Sequence, residues 1–126
     1  MNSVTRKFFI LGALFAASGV LLGAFAAHAL KQSLTTGMLG VFETGVRYQM
    51  YHAFALFVVG WVARLRQDRL VVNAGWLFVV GILLFSGSLY FLSVFSMPRI
   101  VFVTPFGGVA FILGWVSLVI DLLRVK

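Results

Sequence analysis

The side chains most capable of chemistry in this sequence are two histidines, one glutamate and a pair of serines. His28, His52 and Glu43 could supply nitrogen and oxygen ligands to a metal ion. Ser86 and Ser88, taken with His52 and Glu43, contain the residue types of a nucleophile, a base and an acid. However, the chain has no H-x-x-x-H or E-x-x-H spacing and no cysteine, and serines in membrane helices usually bond to nearby backbone. We therefore expect interhelical hydrogen bonds from these residues, with no metal, no cofactor and no catalytic residue.

Transport is the other chemistry that these residues could perform. An ionisable group within a membrane is a functional candidate by default, and histidine titrates near neutral pH. His52 and Glu43 could therefore lie on the path of a small oligomeric channel or proton-linked transporter. The small multidrug transporters are similar in size and helix number, but they rely on an acidic residue deep in the first helix. This chain has none there, so a drug antiporter is disfavoured.

The composition indicates that a lipid bilayer surrounds the elements that carry these residues. Hydrophobic residues make up 62% of the chain and charged residues 10%, whereas soluble domains have about 45–50% and about 25%. A helix needs about 20 apolar residues to cross roughly 30 Å of hydrocarbon. Four apolar stretches lie at about 8–30, 45–63, 70–95 and 100–123. The sequence predicts a single transmembrane domain over residues 1–126, all-α, folded as an integral membrane four-helix bundle.

The connection between the first two stretches is itself half apolar. Leu34, Met38, Leu39 and Phe42 recur at helical spacing within residues 34–44. This spacing predicts an additional short interfacial helix that lies along the membrane surface. A solvated loop is the alternative.

The basic residues fall unequally on the two sides of the predicted bundle. One side holds seven of them: Arg6, Lys7, Arg64, Arg66, Arg69, Arg124 and Lys126. The other side holds three: Lys31, Arg47 and Arg99. Because Lys and Arg are enriched in cytoplasmic loops, both termini are predicted to be cytoplasmic. The same clustering between apolar runs makes the net charge of +7 a topology signal and excludes nucleic acid as a partner.

Small residues form one stripe on the first helix and one on the fourth. Helices in lipid associate where small residues allow close contact, and both stripes have the alternating three and four spacing of left-handed bundles. The predicted packing residues are Gly12, Ala16, Gly19 and Gly23 on the first helix, and Gly107, Ala110, Gly114 and Ser117 on the fourth. Whether the two stripes meet each other or a second protomer is left open, so a homo-oligomer or a membrane-protein partner is possible.

The predicted topology gathers polar and aromatic side chains at the outer ends of the helices. We expect Glu43 to pair with Arg47, and residues 48–52 to contact residues 86–90, because unpartnered polar groups are costly in lipid. An aromatic pocket of Tyr48, Tyr51, Tyr90 and Phe106 could hold a lipid or small ligand. The predicted ligand-binding residues are His28, Glu43, Arg47, Tyr48, Gln49, Tyr51, His52, Ser86, Ser88 and Tyr90.

Four segments of the chain resemble the YgdD/YwdK-like family of small four-helix membrane proteins, which has eukaryotic relatives in the transmembrane protein 256 family. They are Ala27-His28-Ala29-Leu30, residues 42–53 with the sequence FETGVRYQMYHA, residues 84–90 with the sequence LFSGSLY, and residues 104–108 with the sequence TPFGG. The resemblance spans essentially the whole chain and implies a multi-pass protein of the bacterial inner membrane. It implies no reaction. We therefore predict a non-enzymatic membrane protein that contacts membrane lipids, and whose outer cluster is structural, binds a lipid or small ligand, or docks a partner.

Overall fold

The computed structural model describes residues 1–125 and is all-α, as predicted. Lys126, which was counted with the predicted cytoplasmic basic residues, lies outside the described residues. The four long helices are α1 (Ser3–Ser33), α2 (Thr36–Leu65), α3 (Arg69–Phe95) and α4 (Thr104–Arg124). A 3-10 turn over Pro98–Phe102 joins α3 to α4. Two π-helical turns interrupt the regular spacing, Ala26–Leu30 in α1 and Ile82–Ser86 in α3.

Polar caps decide where three of the helices begin. The side chains of Asn2, Thr35 and Asp68 accept backbone N–H hydrogen bonds at 2.7, 3.2 and 2.8 Å from the first turns of α1, α2 and α3. Such caps satisfy donors that the helix itself leaves unpaired. As a result α1 and α2 begin before the apolar stretches that predicted them.

A separate interfacial helix between α1 and α2 is not confirmed. Residues 36–44 form the first turns of α2, which continues without a break to Leu65. Between α1 and α2 the chain leaves helical geometry only at Leu34 and Thr35, both of which are extended. The predicted boundary followed the change in hydropathy near Gly45. However, Gly45 stays helical and packs closely against Ser86, so hydropathy did not mark the end of the helix.

Three of the helices are long and apolar enough to cross a membrane: Ser3–Ser33, Arg69–Phe95 and Pro98–Arg124. The fourth, α2, has the length, but its apolar run is interrupted by Glu43, Arg47, Gln49 and His52. The polar residues of α2 are therefore the feature that sets it apart from its neighbours.

Each helix packs extensively on the next one along the chain: α1 on α2, α2 on α3, and α3 on α4. The first part of α3, Arg69–Gly81, packs mostly on α4, whereas its last part, Gly87–Phe95, packs mostly on α2. The π-helical turn Ile82–Ser86 lies between these parts and contacts both neighbours. A π turn inserts extra chain into a helix, so the helix presents a different face beyond it.

The main apolar core fills the half of the bundle nearer the chain termini. Phe8, Leu56, Val59, Val71 and Phe78 are its largest fully buried side chains. A smaller cluster of Ala26, Leu30 and Phe42 closes the opposite end. The buried polar side chains of Gln49, His52 and Ser86 lie between the ends that these two cores fill.

The two stripes of small residues do not meet each other. Gly12 packs on α2, where an added Cβ would lie 3.0 Å from the Ala53 carbonyl oxygen, and Gly19 and Gly23 face the same helix. Gly107 and Gly114 pack on α3, and Ala110 is buried with them. Ala16 and Ser117 are half-buried. Each stripe therefore fastens one helix pair within the chain.

An ion pair that the sequence analysis did not predict joins α2 to α4 at the end of the bundle nearer the chain termini. The Arg66 guanidinium, at the end of α2, donates to the Asp121 carboxylate near the end of α4. The Asp121 side chain is only 4% exposed, and that of Arg66 is 31% exposed. Arg66 therefore neutralises a carboxylate that the fold has removed from solvent.

We expect the α3–α4 contact to be sensitive to a single methyl group at Gly107. A Cβ there would lie 2.7 Å from the Phe85 Cβ and 2.8 Å from its Cα, and backbone cannot move aside cheaply. Gly107→Ala should therefore lower the unfolding free energy by about 1–3 kcal/mol, measured by SDS titration in mixed micelles. Gly108→Ala is the matched control, because its Cβ would meet only an ordinary contact at 3.9 Å. Equal stability of the two variants would contradict this packing.

Candidate functional site

The predicted outer cluster separates into a buried set and an exposed set. The buried set consists of Gln49, His52, Ser86 and Ser88, with Tyr90 half-buried beside them. The exposed set consists of His28, Glu43, Arg47, Tyr48 and Tyr51. Only the buried set forms an interhelical network, so the two sets have different chemistry.

Gln49 is the centre of the buried network. Its Nε2 donates to the Phe15 carbonyl oxygen at 2.9 Å and to the Ser18 Oγ at 2.8 Å, both on α1. Its Oε1 accepts from the Tyr90 hydroxyl of α3 at 2.6 Å. Because a helical side chain leans toward the N-terminus of its helix, Tyr90 reaches down to the level of Gln49. One amide therefore joins three helices, and the predicted contact between residues 48–52 and 86–90 is confirmed.

His52 joins α2 to α4 through Nε2, and its Nδ1 bonds to the backbone of α2 itself. The Trp115 indole Nε1–H donates to Nε2 at 3.1 Å, and Nδ1 lies 2.7 Å from the Tyr48 carbonyl oxygen. An indole nitrogen can only donate, so Nε2 is the acceptor and Nδ1 carries the proton of a neutral ring. The ring stacks on Phe111 with centroids 3.6 Å apart and an interplanar angle of 9°.

The position of His52 differs from the predicted outer location. It lies midway along α2 and contacts Phe78, Phe111 and Trp115, which lie toward the middle of their own helices. Trp115 is the partner that sequence reasoning missed. A signal was present, because a tryptophan within a bilayer needs an acceptor for its N–H, and His52 is a suitable one.

The two serines act as helix-packing groups. The Ser86 hydroxyl donates to the Gly45 carbonyl oxygen of α2 at 2.7 Å, and the π-helical turn that ends at Ser86 places it there. Ser88 Oγ donates to the Phe85 carbonyl oxygen at 2.9 Å and lies 2.5 Å from the Thr104 Oγ1. Within residues 1–125, neither serine hydrogen-bonds to His52, so the nucleophile and base geometry is not assembled.

The predicted ion pair between Glu43 and Arg47 is wrong. Arg47 donates instead to the Thr44 hydroxyl at 3.2 Å, and the salt bridge found in the described part of the chain joins Arg66 to Asp121. Both Glu43 and Arg47 are exposed, and an exposed pair gains little over two solvated side chains. His28 is exposed on the π-helical turn of α1. Among residues 1–125, no three His, Cys, Asp or Glu side chains are grouped as metal ligands.

The four aromatic side chains of the predicted pocket do not line one common cavity. Tyr48 and Tyr51 pack against each other at the surface, with centroids 5.7 Å apart. Tyr90 packs on Phe42 at 4.8 Å and turns its hydroxyl inward to Gln49. Phe106 is 71% exposed. The polar groups of this region therefore serve the bundle, and its exposed rings face outward.

Comparison with known proteins places the chain in a family. The family described as "Protein of unknown function (DUF423)" matches residues 22–108. The chain is 50% identical over 116 residues to the UPF0382 membrane protein YwdK of Bacillus subtilis, covering 91% of this chain and 94% of that protein. It is 45% identical over 120 residues to a UPF0382 membrane protein of Staphylococcus epidermidis, covering 94% and 97% of the two chains.

A third similar protein comes from another bacterium. A UPF0382 membrane protein of Haemophilus influenzae is 42% identical over 113 residues, covering 90% of each chain. No solved structure matches the chain. The resemblance carried by the four sequence segments is thereby confirmed: the chain belongs to the family of YwdK-like UPF0382 membrane proteins.

Proposed function

We propose that this membrane protein is non-enzymatic and that the exterior of its helix bundle binds lipid or a membrane partner. In this proposal the polar side chains of the interior serve only to hold the helices together. The supporting observation is the saturation of the buried network. Among the described residues, the buried side-chain polar atom without a hydrogen-bond partner is the Thr5 hydroxyl, which lies in α1 outside the network. No group of the network is left over to bind a substrate or transfer a proton.

The proposal includes four crossings of the bacterial inner membrane with both termini in the cytoplasm. The 30 residues of α2 span about 45 Å at about 1.5 Å per residue, which exceeds the roughly 30 Å of hydrocarbon. Gln49 and His52 turn inward, whereas the exposed face of α2 is apolar and runs through Tyr51, Phe54, Val58 and Trp61. This face suits lipid contact. The excess length would place the first turns, residues 36–44, at the outer interface.

A channel or proton-linked transporter using His52 and Glu43 has less support. His52 is surrounded by Phe78, Phe111 and Trp115, and the apolar core continues below it through Leu56 and Val59. Glu43 is exposed at the start of α2 and lies outside the network. Packed apolar side chains therefore offer no wet path from His52 to the end of the bundle nearer the chain termini.

The proposal is tested by a flux assay on protein reconstituted in liposomes. Proton and potassium fluxes should equal those of empty liposomes, because no hydrated route crosses the bundle. The same fluxes are measured for the His52→Ala variant, because the shorter side chain opens space beside Phe111. A flux in the parent protein that is lost in His52→Gln would overturn the proposal in favour of transport.

A further inference from the structure

Two surface grooves meet at Trp76, and the residues that line them take no part in the interhelical hydrogen-bond network. The first has a volume of about 390 Å³ and is lined by Ser3, Arg6, Lys7, Ile10, Leu11 and Trp76. The second, of about 320 Å³, is lined by Asn73, Trp76, Leu77 and Val80. Since Trp76 lines both, together they follow α3 from the end of the bundle toward its middle.

The first groove is basic at its mouth and apolar along its floor. Arg6 and Lys7 are both exposed on the first turns of α1, and Ser3 adds a hydroxyl. The Lys7 ammonium lies over the Trp76 ring, 5.6 Å from its centroid, in a cation–π contact that holds the charge at the groove. None of the three acidic residues of the chain lines either groove. The positive charge at the mouth is therefore not neutralised from within the groove.

We propose that these grooves form a binding site for an anionic phospholipid. The phosphate would lie between Arg6, Lys7 and the Ser3 hydroxyl, and an acyl chain would follow Trp76, Leu77 and Val80. Basic pockets between transmembrane helices recognise anionic headgroups in this way, and tryptophan favours the headgroup level. The inference rests on the proposed lipid-binding role and names its site and its lipid class. Under the proposed orientation, the lipid comes from the cytoplasmic leaflet.

The experiment is native mass spectrometry of the purified protein titrated with palmitoyl-oleoyl phosphatidylglycerol or phosphatidylcholine. The wild-type protein should bind the anionic lipid more tightly than the zwitterionic one. The double variant R6Q/K7Q should lose about twenty-five-fold in affinity for phosphatidylglycerol, because each basic side chain near an anionic surface contributes about fivefold. The single variants R6Q and K7Q should each lose an intermediate amount, which keeps the test valid should the double variant misfold.

The matched control is R64Q/R69Q, which removes the same charge from the same end of the bundle but outside both grooves. It should bind phosphatidylglycerol like the wild type. Equal losses in the two double variants, or equal binding of the two lipids by the wild type, would overturn the site. A dimer mass without lipid adducts would overturn it as well, in favour of a second copy of the chain. The flux assay does not depend on any of these outcomes, so failure here leaves the non-conducting role to be tested on its own.

Discussion

Replacing Gln49 by leucine should lower the unfolding free energy by about 2–3 kcal/mol, because it leaves partly buried polar partners without a hydrogen bond. Gln49→Leu preserves much of the side-chain volume but removes the acceptor of the Tyr90 hydroxyl and the donor to Ser18. Three helices lose their common contact at once. The measurement is SDS titration in mixed micelles, followed by far-ultraviolet circular dichroism.

The Gln49 prediction has a matched control and a coupling test. Gln32→Leu makes the same chemical change at an exposed position and should leave stability within about 0.5 kcal/mol of wild type. Tyr90→Phe removes the other half of the bond, and the double variant should be less destabilised than the sum of the single variants. Additive effects would mean that Gln49 and Tyr90 do not interact.

Replacing Arg66 by methionine should destabilise the bundle by about 3 kcal/mol, because it leaves a buried carboxylate without its partner. Asp121 is almost fully buried, and Arg66 is the cation that its carboxylate contacts in the structure. The methionine side chain keeps most of the apolar stem, so the loss reports the missing charge. Unfolding by SDS at neutral pH measures it.

Two comparisons separate the buried pair from general charge effects. Arg64→Met removes an exposed arginine two residues away and should have little effect. The double variant R66M/D121L should recover most of the lost stability, since replacing both members of a buried pair by apolar groups is often neutral. If R66M and R64M proved equally stable, the ion pair would contribute nothing to the fold.

The helices could be predicted from the sequence because lipid imposes a length on every crossing. The stripes of small residues on α1 and α4 were predicted as packing faces, and their glycines do pack against neighbouring helices. Their partners could not be predicted, since any close-packing face suits such a stripe in lipid. The start of α2 was missed because a Thr35 side chain, rather than a change in hydropathy, caps that helix.

Part of the candidate site could be predicted because the sequence indicates how deep each residue lies along its helix. Matching depths along antiparallel helices correctly brought Gln49 near Tyr90. Depth alone does not specify how each helix is rotated about its axis, so exposed residues such as His28 and Tyr51 were grouped with buried ones. Trp115 was missed because its contact with His52 joins residues 63 positions apart that no local pattern connects.

The π-helical turn of α3 makes one continuous backbone serve two neighbours. Before it, Gly75 and Phe78 face the main core, whereas Ser86 at its end and Tyr90 beyond it face α2. One helical periodicity therefore does not describe the buried face of α3. The buried positions before the π-helical turn follow one periodicity, and those after the turn follow a second one that is shifted relative to the first. Deleting one residue within 82–86 would rotate everything beyond the deletion by about 100°, and the whole last third of the helix would turn away from α2.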